Sequence, residues 1–398
     1  MRNNMSKYYP AVIVLYLNYF LHGIGCSVLG QAAIKEVLAG RWGVQVASIT
    51  AISAALGLGR LLSLPIAGPL SDKLGRKASI LIGGLSYAVY LLGIALTPNF
   101  QVAYLCAIAG GLANSFLDTG IYPAVAEIID RAPGIATMGI KFAISISQLL
   151  MPFFLGVALV QTTAGASYDP LFYVSGAAFV VLVALLFFMK LPDTDSQPGE
   201  KKEGLIASLR HTHFSIESIA MILIGFTCTG TFQLWLNCAQ TFAKEFVGFA
   251  NPAVMQTCYS AGTILALIVT SLLTRKVKDV RFVLVYPAIC LATLLAVYAI
   301  RVPAMCVIGA FIIGWAGAGG LLQIATSVCN QLFPKLKGTV TALVMIASSL
   351  CNYTILTAAS AVTADKVILM NAVVTGVGVL LGLFINLRYG KLMENVQK

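Results

Sequence analysis

Three titratable side chains, Arg60, Asp118 and Lys141, stand inside apolar stretches long enough to cross a lipid bilayer. A charge in hydrocarbon is costly, so each is a candidate for substrate binding, proton carriage or a buried pair. Arg60 precedes Ser71 by eleven residues, which at 1.5 Å per residue puts it roughly 16 Å from the end of its stretch. Asp118 precedes Asp130 by twelve, a depth of roughly 18 Å. Both fall near the middle of a core about 30 Å thick, so one cation and one anion share a level. Two readings follow: an ion pair that only holds two helices together, or a substrate and proton site whose carboxyl changes protonation with conformation or occupancy. Lys141, seven residues beyond Gly134, is roughly 10 Å inward. It either snorkels to the polar boundary or joins Arg60 around the single carboxylate, where a small organic anion would fit.

Polar side chains accompany these charges. Asn18, Tyr19 and His22 lie in the first apolar stretch, Asn114 in the fourth and Gln148 in the fifth. Gln233, Trp235 and Asn237 lie in the seventh, Trp315 and Gln323 in the tenth, and Asn352 and Tyr353 in the eleventh. Taken singly, each reads more simply as an interhelical hydrogen bond, and His22 and Trp315 as packing residues. Together they make a lining suited to a hydrogen-bonding ligand. Gln233 and Asn237, four apart on one helical face, could read hydroxyls or a carboxylate.

The elements that position these residues follow from composition. Of 398 residues, 59% are hydrophobic and only 10% charged, which excludes an ordinary soluble domain. Twelve spans are expected, over 9–30, 45–67, 78–97, 102–129, 135–160, 170–190, 215–243, 253–274, 281–300, 303–333, 338–362 and 367–387. With both termini in the cytoplasm, 19 of the 26 Lys and Arg fall on that side and 5 outside, the asymmetry that orients inner-membrane proteins. The basic loops therefore read as topology signals and lipid contacts, and no nucleic-acid motif competes. The first stretch is a full span without a small-residue cleavage site and is expected to remain. The nine cysteines all fall in spans without metal or disulfide spacing, and His211 and His213 are far from His22. No metal, cofactor or enzymatic centre is expected.

The longest hydrophilic stretch divides the chain into an N-terminal bundle (1–190), a cytoplasmic linker (191–214) with a short amphipathic helix over 205–209, and a C-terminal bundle (215–398). The halves match weakly. At an offset of 204, the segment 110–134 falls on 314–338, placing Gly110 on Gly314, Leu117 on Leu321 and Gly134 on Gly338.

Between spans 2 and 3 stands GPLSDKLGRK (68–77), which reads as a hinge in which Gly68 and Gly75 permit tight turns and close helix approach and Asp72 and Arg76 can pair. Its pattern of Gly68, Asp72, Gly75, Arg76 and Lys77 resembles the signature loop of the major facilitator superfamily. At an offset of 203 it falls on SLLTRKVKDV (271–280), a worn copy that keeps the basic character and loses both glycines. The resemblance implies an all-α membrane protein, twelve helices in two six-helix bundles related by a pseudo-twofold axis, with substrate bound at midplane. It implies gating by the loop, with Glu127 at the end of span 4 as partner for Arg76.

The segment LDTGIYPAV, with Asp118 and Pro123, resembles helix 4 of the fucose and galactose proton symporter branch and implies a proton-coupling role for Asp118, although that branch carries Glu. HGIGCSVL and NSFLDTGIYP resemble bacterial facilitators linked with shikimate and quinate metabolism. The glycine-proline signature of the drug antiporters is incomplete around Pro152, where Met151 replaces the preceding glycine and only Gly156 follows. The expectation is a monomeric, proton-coupled symporter of a small polar solute, either a hydroxylated cyclic carboxylate or a sugar. The alternatives are a drug or metabolite antiporter and a membrane receptor or scaffold.

Overall fold

Where no water can reach the backbone, its N–H and C=O groups must bond within the segment, and a helix is the single-segment solution. In the computed structural model, residues 5–129, 133–162, 165–192, 216–274, 276–332 and 337–397 are described. Among them, ten helices are long and apolar enough to cross a membrane. A pair bent by 45°, Ile135–Leu149 and Met151–Ala158, makes an eleventh, and Val254–Thr270 is a shorter apolar helix. These stand where the twelve spans are expected. Outward side chains such as Leu62, Leu105, Phe153, Phe188 and Leu387 are exposed, as lipid-facing surfaces require.

The chain forms two compact units, Met1–Glu200 and Lys201–Lys398. Most of the expected linker, with the helix over 205–209, His211 and His213, lies outside the described residues. The first unit comprises α1 (Tyr9–Ser27), α2 (Ala32–Trp42), α3 (Thr50–Leu74), α4 (Arg76–Leu96), α5 (Phe100–Ile128), α6 (Pro133–Leu149), α7 (Met151–Ala158) and α8 (Asp169–Phe188). The second comprises α9 (Ile216–Val247), α10 (Val254–Leu273), α11 (Asp279–Ile300), α12 (Pro303–Ile312), α13 (Leu321–Leu332), α14 (Lys337–Ala359) and α15 (Ala364–Gln397). A π-helical turn, Ile313–Ala318, and a bend at Gly319 and Gly320 separate α12 from α13.

Three features depart from expectation. A short antiparallel ribbon, β1 (Val160–Thr162) with β2 (Gly165–Ser167), follows α7. The short helix α2, ended by Gly43 at φ 64°, is strapped to its neighbours. Arg41 reaches both carboxylate oxygens of Asp169 at 2.7 Å, and the Trp42 indole donates to the Thr97 carbonyl at 3.0 Å. The segment 68–77 is hardly a loop: α3 continues through Gly68 to Leu74, Gly75 alone breaks it at φ 89°, and Arg76 and Lys77 already belong to α4. Gly68 makes neither turn nor close approach, since a Cβ there would meet nothing within 4 Å. A glycine costs a helix only about 1 kcal/mol, too little to end one that packing supports.

The internal repeat is sharper in space than in sequence. A Cβ at Gly59 would run into the Ile108 carbonyl, and one at Gly111 into the Leu56 carbonyl, so α3 and α5 cross backbone to backbone. In the second unit Gly262 meets the Phe311 carbonyl and Gly314 the Tyr259 carbonyl in the same way. All four positions shift by 203. Gly314 is thus the counterpart of Gly111 and not of Gly110, which lies instead against Leu56 and the Tyr90 ring.

Candidate functional site

Small residues bring the charged pair together. The Gly59–Gly111 crossing sets α3 against α5, and Ser63 and Ser115 bond at 2.8 Å beside it while Ser115 also donates to the Arg60 carbonyl at 3.2 Å. One turn further along α5, Arg60 Nη2 meets Asp118 Oδ2 at 2.9 Å. The other oxygen, Oδ1, accepts the Tyr19 hydroxyl from α1 at 2.5 Å. Both carboxylate oxygens are therefore engaged, by a guanidinium and a phenol. Tyr122, four residues after Asp118, packs edge-on to Tyr19.

The pair is not sealed. The Arg60 and Asp118 side chains are 25% and 30% exposed, and Arg60 Nε is buried with no hydrogen-bond partner among the described residues. Lys141 on α6 is half-buried and lies within electrostatic reach of both Asp118 and Arg60. It stands on a third helix. The neighbourhood thus holds two cations and one carboxylate, an excess of positive charge that a ligand anion would balance.

A second chain of hydrogen bonds runs beside the first. His22 Nδ1 and Tyr87 Oη are 2.6 Å apart, and the Tyr87 hydroxyl donates to Asn114 Oδ1 at 2.9 Å. His22 packs edge-on to Tyr19 and to Tyr87, with ring centroids 5.3 Å apart in each case. Gln148 donates to the Cys26 sulfur at 3.4 Å. Tyr87 escapes the sequence reading, although a tyrosine at mid-span is an apolar ring with a polar handle that needs a partner.

Other expected lining residues lie elsewhere. Asn18 is fully buried, donating to the Val14 carbonyl while its Oδ1, without a hydrogen-bond partner among the described residues, faces Gly84, so it packs α1 against α4. Trp235 is 3% exposed in the core of the second unit, its ring against Gly309, and is likewise corrected to a packing residue. In the same unit Asn237 donates to the Gln233 carbonyl at 2.9 Å and to its Oε1 at 3.2 Å, holding the Gln233 amide with its NH2 directed away. Trp315 sits on the π turn against Tyr286, its Nε1 without a partner among the described residues, as is Asn352 Oδ1. Gln323 is exposed and Tyr353 half-buried. At the positions matching Arg60 and Asp118 the second unit has Thr263 and Leu321, so the charged pair has no counterpart there. Lys35 on α2 is 1% exposed, with Nζ on the Thr50 hydroxyl at 2.8 Å.

At the far end of α3, Arg76 lies between Asp72, at 3.0 Å, and Glu127 on α5, at 3.6 Å. Lys77 does something different. Its ammonium donates to the Phe187 and Met189 carbonyls at 2.7 and 3.0 Å, closing the C-terminus of α8. In the worn copy Asp279 stands at the Arg76 position and accepts from Ser327 and Gln331. Among the described residues no group of three or more His, Cys, Asp and Glu could hold a metal ion.

The family model of the Major Facilitator Superfamily matches residues 15–352. The chain belongs to the major facilitator superfamily. Within it, the chain is 34% identical over 349 residues to the uncharacterized MFS-type transporter YfkL of Bacillus subtilis, covering 85% of each protein. It is 31% identical over 355 residues to the inner membrane transport protein YdiN of Escherichia coli, covering 87% of this chain and 81% of that one. The inward-open xylose transporter XylE from E. coli shares the fold, with TM-score 0.75, 16% identity and 95% of each chain covered. This major facilitator protein is thus a multi-pass membrane transporter of a small-molecule substrate, and not an enzyme.

Proposed function

We propose that this facilitator is a proton-coupled symporter of a small organic anion, working by alternating access with both termini in the cytoplasm. The observation that carries the reading is the half-open Arg60–Asp118–Tyr19 cluster with Lys141 beside it. Asp118 is the proton carrier. Arg60 is shared between Asp118 and the substrate carboxylate: protonation of Asp118 frees the guanidinium for the anion, and loss of the proton returns it to Asp118. Substrate and proton then travel together because one cation cannot serve two anions at once. Every group in this exchange comes from one chain, so a monomer suffices.

Glu127, Asp72 and Arg76 are proposed as the latch. Gly75 divides α3 from α4 there, and the ion pairs on either side of it are the contacts that a change in helix angle would break. An Arg76→Ala variant is expected to slow transport severalfold while ligand affinity in binding assays stays within about twofold. Unchanged turnover would refute the latch.

The anion reading is tested with Arg60→Gln in proteoliposomes. The variant is expected to lose at least about tenfold in apparent affinity for an organic acid and far less for its neutral amide, because a charge-assisted hydrogen bond contributes more than a neutral one. Equal losses for acid and amide would assign Arg60 to holding α3 and α5 together. The first choice of ligands is a thermal-shift screen of hydroxy acids, aromatic acids, sugars and cationic drugs, in which a binder raises apparent stability. Stabilisation by cationic drugs alone would overturn the proposal.

A further inference from the structure

Tyr87 sits between two partners and owns one proton. Asn114 presents Oδ1, which can only accept, so the phenolic proton is committed to it at 2.9 Å. The 2.6 Å contact with His22 must then run the other way, with Nδ1–H donating to the Tyr87 oxygen. A neutral imidazole carries one N–H, so Nε2 is left with a free lone pair. No hydrogen bond to Nε2 is formed by any described residue, and the ring is half-buried, not sealed in the core. The ring stands among the groups of the charged cluster. His22 follows Tyr19 by three residues on α1, packs against its ring, and lies within electrostatic reach of Asp118, Arg60 and Lys141.

We propose that His22 is a specificity-determining residue: held as the Nδ1–H tautomer by Tyr87 and Asn114, it presents Nε2 as an acceptor to a hydroxyl of the transported anion. The ligand class is a hydroxylated carboxylate, its carboxylate on Arg60 and Lys141 and a hydroxyl on His22. Tyr87 and Asn114 are positioning residues that set the tautomer without touching the ligand. This rests on the anion reading above and deepens it. An unhydroxylated acid of the same size forfeits the bond and leaves the imidazole acceptor unmatched, a loss that a site built around a hydrogen bond makes large.

Two measurements on the full-length protein test it. The chain has three histidines, so His211→Gln with His213→Gln leaves His22 as the sole imidazole. 15N NMR of that protein in nanodiscs is expected to show Nδ1 protonated and Nε2 bare, and Tyr87→Phe is expected to shift the population toward Nε2–H. Binding is read with quinate and cyclohexanecarboxylate, which share ring and carboxylate and differ in hydroxyls. Quinate is expected to bind about tenfold or more tightly, and His22→Phe to bring the two acids within about twofold. A wild-type Nε2–H tautomer, or a quinate preference that survives His22→Phe, would overturn the assignment of His22 while leaving the anion site standing. Binding of neither acid alongside the expected tautomer would overturn the anion reading and the ligand class with it. Should His22→Phe fail to fold, the tautomer measured in the sole-imidazole protein still decides.

Discussion

An Asp118→Asn facilitator is expected to lose pH-driven accumulation of its organic acid down to background while keeping counterflow exchange within a few-fold. Asparagine preserves the shape of the side chain, and its Oδ1 can still accept the Tyr19 hydroxyl that reaches Asp118 at 2.5 Å. It cannot take up or release a proton. Exchange of labelled for unlabelled solute needs no net proton movement, so it separates loss of coupling from loss of fold. The substitution also leaves Arg60 without its 2.9 Å partner. Removing one member of a fully buried pair costs about 3–5 kcal/mol, and this pair is partly open, so the variant pays only a fraction of that. Some loss of thermal stability is therefore expected, with the fold retained. Undiminished uphill uptake in reconstituted vesicles would exclude Asp118 as the proton carrier.

The second large effect concerns a single methyl group. Gly111→Ala is expected to destroy most of the folded, detergent-stable protein, whereas the same change at Gly68 leaves yield unchanged or raises it. An alanine Cβ at Gly111 would meet the Leu56 carbonyl, with Arg60 N at 2.7 Å and Gly59 Cα at 2.8 Å. These are backbone atoms, which cannot rotate aside as a side chain would, so α3 must move away from α5. That movement would carry Arg60 away from Asp118. At Gly68 the added methyl meets nothing, and alanine is favoured over glycine in a helix by roughly 1 kcal/mol. Size-exclusion chromatography and thermal unfolding of the two variants check both halves. A monodisperse Gly111→Ala protein with wild-type stability would contradict the close crossing.

The sequence carries the spans well, because hydrocarbon imposes a length and composition that can be counted along the chain. It also carries the pairing of Arg60 with Asp118, since two lone charges at one depth have few alternatives. What it does not carry is direction around a helix. Asn18 and Tyr19 are adjacent on α1, yet Asn18 turns toward Gly84 and Tyr19 toward Asp118, a difference set by neighbours that no local pattern reveals. Trp235 is lost to the core for the same reason, and Tyr87 is missed because its role depends on His22 and Asn114 from two other helices. The repeat offset along α5 slips by one at the Gly110–Gly111 doublet, where identity is ambiguous and only the carbonyl contact is decisive. The helical run through Gly68 is a competition between a small local cost and the packing of a long helix, and packing wins.

Under the proposed mechanism the Arg60–Asp118 exchange makes proton and organic anion move together. Simultaneous recording of internal pH and labelled quinate uptake in proteoliposomes, driven by the quinate gradient alone, tests it most directly. Internal acidification in step with uptake is expected in the wild type, and Asp118→Asn vesicles are expected to exchange labelled quinate without any pH change. Proton movement that persists in Asp118→Asn, or wild-type uptake with no pH signal, would contradict it.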